Sequence, residues 1–262
     1  MSTQVTLDPA PGTVAMSPSR ISDFKLCPQL FKFRVIDRLP EPEDPYSAKG
    51  SLVHAALEGL FGLAPGDRTL ANATERLRLA WDEIKGSEEF DLPLTQEQEA
   101  AFLKEAQGLL ANYFRLERPA LINAHELEWW VEHQTPTALL RGIIDRVEVD
   151  EDGDWILTDY KTGRAPSETY ALGSFFALKF YALVCWRAFG KIPKALRLVH
   201  LREPEVLTLH PDERMLEALE RQLEALAKAL TTAFESGVFK ARPGRVCARC
   251  PHQQICPFAQ KS

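Results

Sequence analysis

Two apolar runs joined by a short acidic turn constrain the fold of this chain more than any other feature of its sequence. The first run covers residues 139–149 and is rich in Leu, Ile and Val, and the second covers residues 155–161. The turn between them, residues 150–154, contains an Asp-Gly pair, which is a strong hairpin signal. The sequence therefore predicts two neighbouring antiparallel strands in this region.

The length of the turn fixes which residues of the two strands face one another. With a three-residue turn, Val149 pairs near Trp155 and Asp145 lies opposite Asp159. A two-residue turn shifts this register by one position. In either case, we expect both carboxylates at about the same level of the sheet.

The tripeptide Asp159-Tyr160-Lys161 carries the chemistry of this hairpin. Side chains two residues apart in a strand point to the same face, so Asp159 and Lys161 share a face and Tyr160 points the other way. An acid beside a lysine can hold a hard divalent cation and stabilise charge on a phosphate. The alternative is a pair of ordinary polar residues on a hairpin, although buried acids are rare unless they are paired or coordinated.

Cysteines provide the second motif. Three of them form Cys247-x2-Cys250-x5-Cys256 near the end of the sequence. Clustered thiolates suit a soft metal or an iron–sulfur cluster, and a four-ligand site needs one more cysteine. Cys27 is the candidate because it precedes a proline, as Cys250 and Cys256 do, whereas Cys185 lies in an apolar helical run and is expected to be a buried thiol.

Two other uses of these cysteines remain open from the residues alone. One is a structural zinc ion, with His252 as a further ligand, and the other is a disulfide. The sequence shows neither a signal peptide nor an apolar run of about 18 residues, so we expect a cytoplasmic location and no membrane contact. A reducing compartment disfavours disulfides.

The charge distribution matters more than the net charge of −6, which alone argues against a nucleic-acid partner. Residues 170–202 and 236–262 contain no acid. Their basic residues are Lys179, Arg187, Lys191, Lys194, Arg197 and Arg202 in the first stretch, and Lys240, Arg242, Arg245, Arg249 and Lys261 in the second. This segregation favours a basic track that leads to an acidic metal site. Solvated helix faces are the alternative explanation.

The chain can bury a sizeable core, since it has 262 residues of which 45% are hydrophobic. We expect a flexible tail over residues 1–16 and a single domain over residues 17–262. Within that domain we expect a helical insertion at about 64–120, with amphipathic helices around 70–85 and 95–117. The cysteine region, residues 238–262, would be closed by Cys27.

The remaining pattern predicts an α/β fold. Residues 121–131 are predicted to form a strand with Glu126 and Glu128 on one face, and residues 211–234 a long amphipathic helix. Helices also flank the predicted hairpin on both sides along the sequence. We therefore expect a central mixed β-sheet flanked by helices.

Three motifs occur in the order Gly50-x3-His54, Gly142-Ile-Ile-Asp145 and Asp159-Tyr-Lys161-Thr-Gly163. Together they resemble the PD-(D/E)XK nucleases, and specifically the RecB-like exonuclease branch, over roughly residues 17–258. The cysteine pattern is similar to that of the iron–sulfur members of this branch, which include the AddB-type nuclease domains and the CRISPR-adaptation exonucleases. The resemblance implies a restriction-endonuclease-like core whose termini are stapled by the cysteine cluster.

The resemblance also implies roles for individual residues. His54, Asp145 and Asp159 would bind Mg²⁺ or Mn²⁺, with the carbonyl of Tyr160 as a further ligand, although a lone histidine is more often a core residue. Lys161 would position the attacking water or stabilise charge on the phosphorane.

The cluster cysteines and Tyr181 follow from the same resemblance, and Lys179 and Arg20 are further candidates for contact with DNA. Cys27, Cys247, Cys250 and Cys256 would hold a [4Fe–4S] cluster, with Zn²⁺ as the alternative. Arg20, Lys179 and Tyr181 would contact DNA. The branch usually carries Gln-x3-Tyr after the lysine, and here Ala177 stands where the glutamine is expected.

The expected function is that of a metal-dependent DNA nuclease, an exonuclease of single-stranded or end-frayed DNA in repair, recombination or CRISPR adaptation. A helicase or a CRISPR integrase is the expected partner. Two alternatives remain. One is a catalytically weak DNA-binding scaffold subunit of a helicase–nuclease complex, and the other is a zinc-stabilised interaction module.

Overall fold

A computed structural model of the chain describes residues 10, 12–87, 90, 92–164 and 173–259. These residues form one mixed sheet of six strands together with α-helices. The strands are β1 (Val14–Met16), β2 (Ala124–Gln134), β3 (Ala138–Val149), β4 (Trp155–Lys161), β5 (Ala195–His200) and β6 (Glu205–Leu209). The predicted α/β fold with a mixed central sheet is confirmed.

The strand order is β1-β3-β4-β5-β6, and β2 also pairs with β3. The β1–β3 and β4–β5 pairs are parallel, whereas the β3–β4 and β5–β6 pairs are antiparallel. The chain returns in parallel from β4 to β5 after the helix over Phe176–Phe189, as a crossover connection requires. Asp159 therefore lies on a strand that has a hydrogen-bonded neighbour on each side.

The β3–β4 hairpin has the register expected for a three-residue turn. Val149 pairs with Trp155, and the amide of Asp150 donates to the carbonyl of Asp154 at 3.0 Å. The carboxylate of Asp150 accepts the amides of Asp152 and Asp154 at 3.0 and 2.8 Å, and Gly153 has φ +81°. Only glycine adopts that backbone conformation without strain, so the turn depends on the Asp-Gly pair that predicted it.

The helices are α1 (Pro18–Leu26), α2 (Pro28–Phe31), α3 (Pro45–Phe61), α4 (Leu70–Gly86), α5 (Gln96–Leu116), α6 (Phe176–Phe189) and α7 (Glu213–Ser236). A π-helical turn covers Lys32–Ile36, and 3₁₀ turns cover Pro65–Asp67, Pro119–Leu121 and Arg245–Arg249. The two helices predicted in the insertion are confirmed as α4 and α5. Helix α5 starts at a capping box in which Thr95 and Gln98 satisfy each other's backbone amides.

Two expected boundaries differ from the structure. Residues 14–16, which were expected in the tail, form β1 and pair in parallel with residues 138–140, because the main chain of β3 offers hydrogen-bonding groups there. Strand β2 begins at Ala124 rather than at residue 121, since Pro119–Leu121 form a 3₁₀ turn. The expected tail residues 1–9 and 11 lie outside the described part of the chain.

The chain divides into two compact units. The first comprises residues 1–42, 132–142 and 217–262, and the second comprises residues 43–131 and 143–216. In the first unit, the rings of Phe24, Phe31, Phe234 and Phe239 pack edge-on or stacked, with centroids 5.6–6.1 Å apart. This aromatic cluster joins α1, α2 and α7.

The second unit contains a large apolar core. Helices α3, α4 and α5 contribute most of it, and Tyr160, Val199 and Leu201 join it from β4 and from β5 and its end. Leu52, Leu57, Leu60 and Leu110 are fully buried. Within the described residues, no helix is both long enough and apolar enough to cross a bilayer.

We expect Leu57→Ala to lower the free energy of unfolding by about 2–5 kcal/mol, because it removes a fully buried side chain and leaves a cavity. Leu121→Ala is the matched control, since Leu121 is 76% exposed and should change stability by less than about 0.5 kcal/mol. Urea titration followed by circular dichroism measures both values. Equal losses in the two variants would contradict this account of the core.

Candidate metal centre

Helix α3 places His54 beside the end of β4. Asp44 caps the start of α3 by accepting the amide of Ser47, and Pro45 occupies the first turn. One turn before His54, a Cβ atom on Gly50 would lie 3.3 Å from the hydroxyl of Thr162. The glycine of the Gly50-x3-His54 motif thus allows the helix to approach the strand closely.

The imidazole of His54 contacts two predicted site residues. Its Nε2 lies 2.9 Å from the carbonyl oxygen of Tyr160, and its Nδ1 lies 3.4 Å from Oδ2 of Asp145. A carbonyl oxygen can only accept, so Nε2 donates and carries the proton. This leaves Nδ1 as the nitrogen that can accept from or coordinate to a group beside Asp145.

The two predicted carboxylates sit on neighbouring strands. Oδ2 of Asp145 accepts the amide of Tyr160 at 2.8 Å, which ties β3 to β4 at the site. Asp159 is 7% exposed, and its Oδ2 lies 2.6 Å from Nζ of Lys161. The structure therefore brings His54, Asp145 and the Asp159–Lys161 pair together around the main chain of Tyr160.

Burial and nearby negative charge raise the pKa values of Asp145 and Glu128. Burial, followed by the charge of Asp159, raises the pKa of Asp145 to about 7, against the opposing effects of His54 and the Tyr160 amide. Burial also raises the pKa of Glu128, and the charges of Glu58 and Asp159 add to this. Negative charge is thus concentrated in a partly desolvated place, where a divalent cation would offset it.

Glu128 completes the most compact group of ligand atoms at the site. One ligand atom each from His54, Glu128 and Asp145 lies within 4.8 Å of the others. Glu128 sits in β2 with φ +41°, a left-handed conformation that is rare for a residue with a side chain. Such strain persists only where surrounding structure enforces it, and it is concentrated at functional sites. The sequence predicted Glu128 on β2, but the kink in its backbone could not be foreseen.

The donor set fits Mg²⁺ or Mn²⁺. Carboxylate oxygens predominate, as hard divalent cations prefer, and a single imidazole suits Mn²⁺ better than Mg²⁺. The carbonyl of Tyr160, predicted as a ligand, accepts the hydrogen bond of His54. That contact orients the ring, in the way that outer partners orient metal-binding histidines.

Tyr181, predicted to contact DNA, belongs to the same site. Burial, followed by the charges of Asp159, Asp145 and Glu128, raises the pKa of its phenol, while the amide of Ile143 donates to it. Lys179 lies on the same helix, α6, and is half-buried, which lowers the pKa of its amine. Arg20 lies on α1 in the first unit and donates to the carbonyl of Ala15 at 3.4 Å.

The four predicted cluster cysteines converge in the first unit. Cys27, Cys247, Cys250 and Cys256 line one pocket together with apolar side chains such as Leu30. The amide of Arg242 donates to the sulfur of Cys27 and the amide of Gly244 donates to that of Cys247, each at 3.4 Å.

Cys185 and the ring of His252 lie apart from this group of four cysteines in their contacts. All five cysteines are free in the structure. Cys185 is fully buried, as expected, and burial raises the pKa of its thiol to about 12. His252, the alternative zinc ligand, is 3% exposed and its Nε2 lies 2.7 Å from Oε1 of Glu41. Its ring is thus already hydrogen-bonded to Glu41.

A second acidic group, in the β3–β4 turn, is explained without a metal. Ligand atoms of Asp150, Asp152 and Asp154 lie within 4.8 Å of one another. The ammonium of Lys194 lies 2.6, 3.2 and 3.6 Å from their respective carboxylates and neutralises part of their charge. This group stabilises the turn.

Sequence reasoning missed one feature beneath the site. Arg146, which directly follows Asp145, is fully buried and donates to the hydroxyl of Tyr160 at 2.6 Å. The available signal was its position: neighbouring strand residues point to opposite faces, so an arginine next to Asp145 must point into the core.

We expect Glu128→Gln to weaken Mn²⁺ binding by at least about tenfold, since even changes to outer partners of a metal site cost 10–100-fold. Glu126→Gln removes the same charge from the same strand but not from the compact ligand group, and it should leave the affinity within about twofold. Isothermal titration of the intact protein with Mn²⁺ measures both. Equal weakening in the two variants would show a general charge effect instead.

Comparison with solved structures shows what the fold resembles. The crystal structure named “Putative exonuclease”, from Eubacterium rectale, aligns with a TM-score of 0.59 and 14% sequence identity, covering 95% of this chain and 90% of that chain. The crystal structure of SSO0001 aligns with a TM-score of 0.41 and 13% identity, covering 97% and 90%, a likeness too low to carry an argument. No curated protein matches the sequence.

The sequence pattern of one family spans nearly the whole chain. It matches residues 15–257, and its description is the PD-(D/E)XK nuclease superfamily. The match covers β3 and β4 with Asp145, Asp159 and Lys161, and α3 with His54. The chain belongs to the PD-(D/E)XK nuclease superfamily of metal-dependent nucleases.

Proposed function

We propose that this nuclease is a deoxyribonuclease that removes nucleotides from single-stranded or end-frayed DNA and requires Mg²⁺ or Mn²⁺. The observation that carries the proposal is the grouping of His54, Glu128 and Asp145 within 4.8 Å, beside the Asp159–Lys161 pair. Acids and one imidazole around one point can hold a divalent cation, and a neighbouring lysine adds positive charge, an arrangement suited to metal-assisted phosphodiester hydrolysis.

The chain's own residues have separate tasks in this reaction. Asp145, Asp159 and Glu128 hold negative charge close together, and Nδ1 of His54 faces the same point. A bound divalent cation would lower the pKa of a water molecule and would neutralise charge on the scissile phosphate. The amide of Tyr160 keeps Asp145 oriented through its 2.8 Å hydrogen bond.

Lys161 acts at the open side of the site. Its ammonium is held 2.6 Å from Asp159, and its side chain is 39% exposed, so it can reach a phosphate or a water that enters from solvent. A fixed positive charge stabilises the transition state because negative charge grows on the phosphoryl oxygens during attack. Tyr181, whose phenol faces the same acids, can contact a phosphate of the bound strand.

Three features support DNA ends as the substrate. The motifs resemble those of the RecB-like exonucleases, and one solved structure with a similar fold is named “Putative exonuclease”. In addition, two stretches of the sequence carry basic residues without acids. We place the activity in DNA repair, recombination or CRISPR adaptation, next to a helicase or an integrase that presents the end.

We expect Lys161→Ala to slow the cleavage of end-labelled DNA by about 10²–10³-fold, as the loss of one charge-stabilising group does in other enzymes. Lys85→Ala is the matched control, because Lys85 pairs with Glu99 on the surface of α4. This variant should cleave DNA at the wild-type rate. The assay uses single- and double-stranded DNA with Mn²⁺, Mg²⁺ or EDTA.

The same assay separates the nuclease from the scaffold alternative. Wild-type protein that binds DNA and cleaves it in neither metal would support a scaffold subunit, and Ala177→Gln would then be the variant to test for restored activity. Cleavage that survives in EDTA or in Lys161→Ala would contradict the proposed mechanism. The ladder of products gives the polarity of digestion.

We also propose that the cysteine cluster holds a [4Fe–4S] cluster. Among the described residues, the groups whose ligand atoms all lie within 4.8 Å of one another contain no cysteine. A tetrahedral zinc ion with sulfurs at about 2.3 Å would place them about 3.8 Å apart. Sulfurs that each bind a different iron stay farther apart, so this spacing supports an iron–sulfur cluster over a zinc module. Both amide-to-sulfur contacts are of the kind that tune such clusters.

We expect Cys250→Ala to lose most of the bound iron and visible absorbance of anaerobically purified protein, and to melt at a lower temperature, because cluster binding is coupled to folding. Cys185→Ala removes a buried thiol elsewhere and should keep the iron content of the wild type. Elemental analysis measures iron and zinc together. One equivalent of zinc without iron in the wild type would overturn the assignment.

A further inference from the structure

The main chain of Tyr160 is the centre of the metal site, although its side chain points away from it. Its amide donates to Asp145 at 2.8 Å and its carbonyl accepts from His54 at 2.9 Å. Any displacement of Tyr160 therefore moves a carboxylate and an imidazole of the site together. What fixes Tyr160 also fixes the geometry of the site.

One guanidinium holds the side chain of Tyr160 in the core. Nη1 of Arg146 donates to the Tyr160 hydroxyl at 2.6 Å, and the guanidinium carbon lies 5.4 Å from the centre of the Tyr160 ring. Arg146 is fully buried and Tyr160 is 4% exposed. A charge-assisted hydrogen bond in such surroundings is short and directional.

Arg146 itself is fixed on several sides. Nη1 and Nη2 donate to the two carboxylate oxygens of Glu117, both at 2.9 Å, and Nη2 donates to Glu148 at 2.7 Å. Nη1 also lies 3.1 Å from the hydroxyl of Tyr113. Tyr113 lies on α5 and Glu117 directly follows that helix, so the helical insertion is joined to the floor of the site through one side chain.

The alternation of strand side chains places this network back to back with the metal site. Asp145 and Arg146 are neighbours on β3, and Asp159 and Tyr160 are neighbours on β4. Each pair puts an acid on one face of the sheet and an anchoring residue on the other. A buried ion-pair network is not in itself the most stable filling of a core, because well-packed apolar residues often replace such a pair without loss.

We propose that Arg146 is a positioning residue of the nuclease: by holding the Tyr160 hydroxyl, it sets the main chain that orients His54 and Asp145 toward the divalent cation. The inference rests on the proposed metal-dependent function. Glu117, which directly follows α5, would act in the same way, because its carboxylate holds Arg146 in place.

A pair of tyrosine variants separates positioning from simple stability. Tyr160→Phe and Tyr113→Phe each remove one hydroxyl from the same nitrogen of Arg146. Only Tyr160 has its main chain in the metal site. We expect both variants to melt at similarly lowered temperatures, but only Tyr160→Phe to bind Mn²⁺ more weakly, by about tenfold.

The measurement is isothermal titration of the intact protein with Mn²⁺, beside thermal melting and DNA cleavage at rising Mn²⁺ concentration. Cleavage by Tyr160→Phe should approach the wild-type rate at saturating Mn²⁺, because the reacting groups are all present. Glu117→Gln, which weakens the hold on Arg146, should shift the Mn²⁺ affinity in the same direction. It also serves as the deciding variant if Tyr160→Phe does not fold.

Two results would overturn the inference. One is unchanged Mn²⁺ affinity in Tyr160→Phe, or in Glu117→Gln if that variant decides. The other is equal weakening in Tyr160→Phe and Tyr113→Phe, which would mean that the hydroxyls act only through stability. Wild-type protein that neither binds Mn²⁺ nor cleaves DNA would instead overturn the proposed function, so the two failures are distinguishable.

Discussion

The pairing of β3 with β4 is the constraint on which the rest of the structure depends. Its register sets Asp145 beside the main chain of Tyr160, with a hydrogen bond of 2.8 Å from the amide to the carboxylate. On the other face, the same pairing sets Arg146 against the hydroxyl of Tyr160. A slip of one residue would exchange the two faces, burying the acids in the core and exposing the arginine.

The two faces of the sheet at the site differ in how their charges are balanced. Burial and then the charge of Asp159 raise the pKa of Asp145, so a cation near the site would stabilise the charged carboxylates. Lys161 supplies one positive charge at the open side, and a divalent metal would supply more. Beneath the sheet, the positive charge of Arg146 is matched by Glu117 and Glu148, so that layer needs no ligand and can serve as a rigid support.

The two units are stabilised in different ways. The second unit relies on an apolar core of helices α3, α4 and α5 against the sheet. In the first unit, Cys27 meets three cysteines from the other end of the sequence in one pocket, beside Leu30 of α2 and Phe33 of the π-helical turn. A cluster bound there would link α1 and α2 to the C-terminal segment by covalent bonds, which a short segment without a core of its own requires.

The sequence by itself determined the α/β class, the β3–β4 hairpin to within one residue of its register, helices α4 and α5, and the placing of Asp145 at the level of Asp159 and Lys161. These follow from local rules: side-chain alternation, turn chemistry and helix periodicity. His54 was assigned to the same site only by the resemblance of its motif to the nuclease family. Only the tertiary structure decided the pairing of residues 14–16 with β3, the left-handed backbone at Glu128 and the joining of Glu117 to Arg146. Each of these depends on contacts between distant segments, whose distances no local pattern encodes.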